Sequence, residues 1–397
     1  MRDRPLSILL AAPAYWPAVA FGGPIPVGRE LVRRLTERGH RVEVVTTSLL
    51  DLHRRPARRS ATTVVDGATV HALGTPLAYR WMGFPPTLPL ALRGRRPDVV
   101  HLFGFRDPVT TGTGLWARAR RIPYVLEPLG MFRPRLRKVR AKEAFDRALG
   151  RPLARAAEAV VTASRHEGED VVACGIDPAR VVVRGNGFPD PPGPELDGRG
   201  ARDRLGIPPD APVALYVGRI ADGKGIEHLV EVARRNAAAH VVLVGPDDRH
   251  GASARLRAAE RESGLAGRLH VLPPTAGPPT ELYRAADVFV LASEGESFGM
   301  VAAEAAAAGT AVVVSDRSGI AGSFGDGEAL VVPAEREAVV GAVGRVLADA
   351  ELRARLAAGA LEAARRGSWD AVADRQEAIY RAAAARTVAT KLSMLGS

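Results

Sequence analysis

Two glutamates eight positions apart, Glu296 and Glu304, stand in EGESFGMVAAEAAAAG, residues 294–309. Between them lie a Ser-Phe-Gly turn and a run of alanines, the strongest helix formers and among the least bulky. Ser297 is expected to cap a helix whose first turn contains Gly299, Met300 and Val301. The free amides of such a turn, together with the helix dipole, make a site for an anion. A helix rises about 1.5 Å per residue, which puts Glu304 roughly 10 Å along the axis from the cap. A diphosphate at the helix end would leave its ribose beside the helix body. There a single carboxylate can accept hydrogen bonds from two hydroxyls. Glu296, ahead of the cap, would face whatever group the diphosphate carries. Phe298, inside the turn, belongs to the same ligand-binding set. The pair thus reads as two ends of one extended ligand rather than as a hydrolytic acid and base. The competing reading makes Glu296 a solvated loop residue and Glu304 a helix-surface charge.

A second cluster is VGRIADGKG, residues 217–225, directly after an apolar run expected to be a strand. From that strand end Arg219 and Lys224 can converge on phosphate. The stretch nearly spells a P-loop, but a P-loop needs Ser or Thr after the lysine to hold magnesium. The chain has Gly225 there. A nucleoside-triphosphatase reading therefore loses its metal ligand, and an ordinary strand-to-helix turn with incidental charges is the other alternative.

The first half of the chain has its own candidates. YWPAVAFGGP, residues 15–24, follows the first expected strand without the GxGxxG fingerprint of a dinucleotide site. Gly22 and Gly23 can instead bring backbone close to a ligand at a helix start, or form a flexible turn. DVVHLFGFRDP, residues 98–108, sets His101 at a strand end, as either a catalytic imidazole or a satisfied structural residue. EPLGMFRPRLRKVRAKEAF, residues 127–145, holds six basic residues between Arg133 and Lys142. They read as a solvated basic helix or as a patch for anionic lipid headgroups.

The elements that must position these residues alternate. Strands are expected at Ser7–Ala12, Arg41–Thr46, Val99–Leu102, Tyr124–Leu126, Ala159–Thr162 and Arg180–Val183, with helices including Gly28–Arg38, Thr110–Arg120 and Arg165–Ala173. PDPPGPELDGRG, residues 189–200, has linker composition. The alternation then restarts with strands at Val213–Val217, His240–Val244, Leu269–Leu272, Val288–Leu291 and Ala311–Val314. Helices are expected at Ile226–Arg235, Ser253–Glu262, Thr280–Ala285, Phe298–Ala308 and Glu335–Leu347. This is the α/β pattern of two doubly wound Rossmann-like domains facing across a cleft, with ligands at the carboxyl ends of the strands. The expected division is residues 1–188, a linker at 189–207 and a nucleotide-binding domain at 208–371. A C-terminal helix at about 372–390 crosses back to the first domain, and the tail beyond about Val388 is expected to be disordered.

At 397 residues the chain is too long for one ordinary core. Its formal net charge of +11 rests almost wholly on arginine, a bias of a GC-rich bacterial genome. The basic residues are scattered and aromatics make up only 5% of the chain, which argues against nucleic acid. A single cysteine, Cys174, permits no internal disulfide and fits a reducing cytoplasm. The N-terminal apolar run reads as a buried first strand in preference to a signal peptide, because a βα pattern follows at once. Location in the cytoplasm is expected, with peripheral contact at the inner face of the membrane through residues 133–142.

GRIADGKGIEHLV resembles the phosphate-binding strand–loop–helix of the retaining GT-B glycosyltransferases of family 4, the glycosyl transferases group 1. LYRAADVFVLASEGESFGMVAAEAAAAGTAVVVSD is similar to that family's signature with two glutamates eight positions apart. The resemblance implies that Arg219 and Lys224 bind the donor diphosphate and that Glu296 meets the donor sugar. It further implies that Gly299 to Val301 give amides to phosphate, that Glu304 holds the ribose, and that Gly22 and Gly23 border donor and acceptor. It places Asn186 at a strand end lining the cleft. Family members commonly carry a second histidine two positions after His101, facing the donor sugar, where this chain has Phe103. Asp107, Arg106 or Glu127 would then have to substitute for it. The implied reaction is transfer of a sugar from a nucleoside diphosphate, with UDP favoured over GDP. Anomeric configuration is retained, and the acceptor is a glycan or lipid intermediate or a small natural product. Arg219, Lys224, Glu296 and His101 are the catalytic candidates, with no cofactor and no metal. A sugar-nucleotide epimerase or a glycogen-type phosphorylase on the same fold, and a non-catalytic sugar-nucleotide sensor, are the remaining alternatives.

Overall fold

The computed structural model describes residues 4–395 apart from 52–55, 80, 135–138, 194, 248–250, 263, 276 and 278. The chain forms two compact units: Met1–Arg184 joined by Trp369–Ser397, and Gly185–Ser368. In the first unit the strands are β1 (Ser7–Ala11), β2 (Arg41–Thr47), β3 (Ala61–Val65), β4 (Ala68–Leu73), β5 (Leu77–Tyr79), β6 (Met82–Phe84), β7 (Val99–Phe103), β8 (Tyr124–Glu127), β9 (Ala159–Thr162) and β10 (Val181–Val183). Eight of them make one sheet in the order β10-β9-β8-β7-β1-β2-β4-β3, parallel except for β3, while β5 and β6 form a separate hairpin. Strands covered on both faces need apolar residues at every position, not at alternate ones. VVHLF of β7 and YVLE of β8 are buried throughout. Helices α1 (Pro24–Glu37), α2 (Leu88–Leu92), α3 (Pro108–Ala119), α4 (Val139–Phe145), α5 (Arg151–Ala156) and α6 (Arg165–Ala173) connect the strands. Gly28 lies inside α1, not at its start, and Phe103 fills the space its missing side chain leaves.

The second unit is built on β11 (Val213–Val217), β12 (His240–Val244), β13 (Leu269–Leu272), β14 (Val288–Leu291), β15 (Ala311–Ser315) and β16 (Leu330–Val332). The sheet order is β13-β12-β11-β14-β15-β16, with every pairing parallel. Its helices are α7 (Arg199–Leu205), α8 (Ile226–Arg235), α9 (Ala252–Ala259), α10 (Thr280–Ala285), α11 (Met300–Ala307), α12 (Arg336–Ala348) and α13 (Ala350–Arg366). Helix α7 falls inside the stretch read as a linker. Arg202 anchors it by donating to the Ala285 carbonyl and the Asp287 carboxylate, at 2.9 and 3.0 Å. No helix among the described residues is long and apolar enough to cross a membrane.

The last helix, α14 (Trp369–Leu395), belongs to the first unit and runs past the point where disorder was expected. A buried polar network holds it there. Arg184 donates to both carboxylate oxygens of Glu127, at 2.7 and 2.9 Å, and to Gln376 of α14 at 2.8 Å. His101 Nδ1 lies 2.7 Å from the hydroxyl of Tyr380 on α14, and Nε2 lies 3.2 Å from Glu127. Burial pushes the Glu127 carboxyl up, but the Arg184 charge and His101 outweigh it and hold the group below the usual carboxylate range. The His101 imidazole is pushed down by burial, against the pull of Glu127. Removing one partner of a buried ion pair strands the other charge. Glu127→Ala is therefore expected to destabilise the protein by about 3–5 kcal/mol in urea titration, and Glu127→Leu with Arg184→Met to recover most of that loss.

Candidate functional site

In a doubly wound sheet, ligands sit where the strand order reverses, outside the carboxyl ends of the strands. In the second unit that point lies between β11 and β14, because β12 and β13 extend to one side and β15 and β16 to the other. The two loops leaving β11 and β14 are the two stretches that the sequence singles out.

The β11 loop turns at Gly218, φ +151°, and the Tyr216 hydroxyl donates to the Arg219 carbonyl at 2.8 Å. The Arg219 side chain is exposed and has no hydrogen bond or ion pair among the described residues. The loop ends at Gly225, φ +68°, which caps α8. A β-carbon on Gly225 would stand 2.4 Å from the Ala292 carbonyl oxygen, and the Glu294 amide donates to the Gly223 carbonyl at 2.9 Å. The two loops thus touch backbone to backbone. Lys224, between these glycines, reaches across, and its Nζ lies 2.6 Å from Glu296 Oε2. Glu296 is itself fixed by its backbone: its amide donates to Arg317 at 3.2 Å and its carbonyl accepts from Gly319 at 2.9 Å.

The capping expectation needs correction. Ser297 is exposed, and the residue that caps α11 is Gly299, φ +110°, with no side-chain cap. A side chain at Gly299 would stand 2.7 Å from Leu291, so the loop closes too tightly for one. Phe298 is buried, and its carbonyl accepts from Ile320 at 2.7 Å. The amides of Met300 and Val301 have no backbone acceptor among the described residues and stay available to an anion. Alanines 302, 303, 305, 306 and 307 are buried, which lets α11 lie close on the sheet. Glu304 is half-buried on this helix, and the Tyr283 hydroxyl of α10 donates to its Oε2 at 2.7 Å. Burial pushes the Glu304 carboxyl up, with the Tyr283 hydrogen bond opposing. Tyr283 was not singled out by sequence; no spacing rule links residues on different helices.

The first unit also has its switch point, between β1 and β7. Gly22, φ +81°, and Gly23 lie in the loop after β1, and no atom comes within 4 Å of where either β-carbon would be. That backbone is open. The loop after β7 is different. Asp107 caps α3, accepting from Val109 and Thr110 at 3.0 and 2.9 Å, and burial pushes its carboxyl up to about 6. Phe103, Asp107 and Glu127 are each no more than 2% exposed, and His101 is fully buried. Asp107 serves as a helix cap, and Glu127 and His101 belong to the buried Arg184 network. Arg106 is also committed: it holds Asp146 at 2.5 and 2.7 Å and donates to the carbonyls of Met131 and Phe132. Asn186 is half-buried just inside the second unit. Of the basic run 133–142, residues 135–138 lie outside the described residues, and Arg133 pairs with Asp170 at 3.0 Å.

The Gly225 geometry bears on the triphosphatase alternative. A serine or threonine there would strike the Ala292 carbonyl and adopt a left-handed conformation costing about 1–2 kcal/mol before any clash is counted. Gly225→Ser is expected to lower the melting temperature by several degrees, at about 2–4 °C per kcal/mol, and to gain no magnesium-dependent ATP binding by calorimetry.

Comparison with known proteins agrees with this geometry. The model of the family described as glycosyl transferases group 1 matches residues 199–362, and that of the glycosyl transferase 4-like domain matches residues 22–187. The D-inositol 3-phosphate glycosyltransferase of Stackebrandtia nassauensis is 31% identical over 87% of this chain and 83% of its own length. That of Xylanimonas cellulosilytica is 38% identical over 58% of each chain, so for relatives of this kind the match spans little more than half of their length. Among solved structures, sucrose-phosphate synthase from Thermosynechococcus elongatus superposes with a TM-score of 0.72 at 21% identity, covering 94% of this chain and 98% of that one. Anabaena Alr3699/HepE, solved with UDP and glucose, superposes at 0.69 and 19% identity, covering 94% and 98%. The strand order, the two switch points and the matched families together make this chain a glycosyltransferase of the GT-B fold, a member of the glycosyl transferases group 1 family.

Proposed function

We propose that the chain transfers a sugar from a nucleoside-diphosphate sugar to a hydroxyl acceptor with retention of anomeric configuration. The observation that carries this reading is the convergence of Lys224, Glu296, the α11 amides and Glu304 at one switch point. Negative charge grows on the diphosphate as the glycosidic bond breaks. Arg219, Lys224 and the Met300 and Val301 amides are the groups that would stabilise it. Two cations and a helix end can replace a divalent ion in that task, so a metal-independent reaction is proposed. Glu304 would hold the ribose and Glu296 the donor sugar. Glu296 pairs with Lys224; a diphosphate would compete for the lysine and release the carboxylate toward the sugar hydroxyls. UDP is the favoured nucleotide and GDP the alternative. The UDP-containing relative of the same fold supports the first choice. The acceptor class proposed is a glycan or lipid intermediate or a small natural product.

The first test is thermal unfolding with UDP, GDP, ADP or TDP, each with and without chelator. One diphosphate should stabilise the protein, by about 2.7 kcal/mol at a hundredfold excess over Kd, and chelator should not change this. Stabilisation by ATP with magnesium alone would sink the proposal. Proton NMR of the product's anomeric signal tests retention. Lys224→Ala should lower kcat by roughly 10²–10³ with a smaller effect on nucleotide affinity, whereas Glu304→Ala should weaken the nucleotide first; equal kinetics and affinity in both variants would refute the assignment. The raised Glu304 carboxyl adds a pH signature. Only the carboxylate accepts from both ribose hydroxyls, so affinity is complete above its raised pKa and falls as pH drops through it. Calorimetry should show that fall in the parent protein and a flat profile in Glu304→Gln.

A further inference from the structure

A cleft of about 630 Å³ opens in the first unit at the amino ends of β1 and β2. The register pairs Ser7 with Arg41 and Leu9 with Glu43, and alternate residues of a strand share a face. Ser7, Leu9, Arg41 and Glu43 therefore make one floor, and Arg41 donates to Ser7 Oγ at 2.9 Å across it. The wall is the end of α2 and the segment 93–97 that leads toward β7. Arg95 ties wall to floor: it donates to the Ala91 carbonyl at 2.5 Å and pairs with Glu43. A parallel strand rises about 3.3 Å per residue, so Ser7 lies roughly 13 Å from the carboxyl end of β1 at Ala11. The cleft is thus at the opposite end of the sheet from the switch point and from the Gly22–Gly23 loop.

The charge of this cleft is one-sided. Arg41, Arg93, Arg95 and Arg96 line it, against one acid, Glu43. Glu43 is taken by Arg95, with His71 Nε2 a further 3.5 Å contact. The neighbouring Asp98 is taken too, accepting from Arg4 at 2.7 Å and from the Ser7 amide at 2.8 Å, and Arg41 reaches it only as a longer-range charge. Arg41, Arg93 and Arg96 are exposed and make no ion pair among the described residues. A concavity walled by one sign of charge concentrates the opposite ion, and a guanidinium meets phosphate through paired N–H donors. Phosphate, with three acceptor oxygens and up to two charges, answers three free arginines better than a single carboxylate does. The volume suits a small molecule, and Leu90 and Pro97 on the wall would meet its carbon body. We infer that this cleft binds a small phosphorylated ligand, at a second anion site apart from the one proposed at α11. A long nucleic acid fits less well, because the arginines are gathered in one cleft and not spread along a track.

Titration calorimetry of the full chain with inorganic pyrophosphate, with and without saturating UDP, tests this. A pyrophosphate site should persist when UDP is present. Arg93→Ser with Arg96→Ser should weaken that site about a hundredfold, at roughly tenfold for each charge-assisted hydrogen bond lost. The same variant should bind UDP as the parent does. Both side chains are exposed, so the fold should survive, and the melting temperature checks that it does. Loss of pyrophosphate binding in the arginine variant identifies the cleft whether or not UDP binds, so failure of the donor reading is told apart from failure here. Absence of any pyrophosphate site that survives UDP and depends on these arginines overturns the inference. Binding of a DNA duplex that Arg93→Ser with Arg96→Ser abolishes, without a pyrophosphate site, overturns it too and assigns the arginines to an extended surface.

Discussion

The carbonyl of Ala292 lies so close to Gly225 that no residue with a side chain fits there, and the geometry of the candidate site depends on that contact. It sets the start of α8 against the end of β14. With the Glu294–Gly223 hydrogen bond it holds the β11 and β14 loops as one surface. Lys224 is the residue between the two glycines, so its reach to Glu296 is fixed by backbone more than by its own flexible stem. Gly299 repeats the device on the other side of the same loop, where Leu291 leaves no room for a side chain. Tight glycine corners at neighbouring strand ends bring a lysine, a carboxylate and a helix start together without a dedicated side-chain scaffold. That economy suits a reaction in which charge must be met at several oxygens at once.

The Lys224–Glu296 pair is half-open, with the lysine side chain 16% and the glutamate 29% exposed. An ion pair in that setting is worth little by itself, because water screens it and both chains lose freedom to form it. Its use is positional. In the proposed reading it keeps the lysine directed into the site, and a diphosphate, carrying more charge than one carboxylate, would displace Glu296 at small cost. Glu304 answers to a different rule. It sits farther along α11, where burial raises its pKa and one oxygen is already taken by Tyr283. The Tyr283 hydroxyl thus orients the carboxylate and leaves the second oxygen for a ligand.

The first unit shows how residue type at a strand end can mislead. All eleven strands expected from apolar runs are present, because strands of a doubly covered sheet are apolar throughout and so visible as runs. Strands β3 and β4 escaped notice: ATTVV of β3 is an edge strand with exposed threonines, and ATVHAL of β4 mixes polar and apolar residues. The pairing of Gly-rich turns with Lys224, Glu296 and Glu304 was legible because it is local, each turn following its own strand. Asp107 is committed locally, as the cap of α3, but nothing local distinguishes His101 or Glu127 from catalytic groups. Their fates are decided by Arg184, Gln376 and Tyr380, residues tens to hundreds of positions away.

The buried Arg184 network also says why the chain returns to its first unit. Arg184 is the last residue before the chain leaves that unit, and Gln376 and Tyr380 come soon after it re-enters at Trp369. Arg375 adds a hydrogen bond to the Arg184 carbonyl at 3.0 Å, so the outgoing and incoming segments lie side by side. On the second unit's side of the crossing, the Phe188 amide donates to the Gly367 carbonyl at 2.9 Å, and Phe188 and Ser368 form a bridge. Both crossings are thereby bound to each other at each end. Between these two bonded stretches lies Gly185, whose φ of +77° favours glycine. Within the first unit, the Glu127 carboxylate and the His101 imidazole, both singled out from sequence, belong to the network that holds the incoming segment.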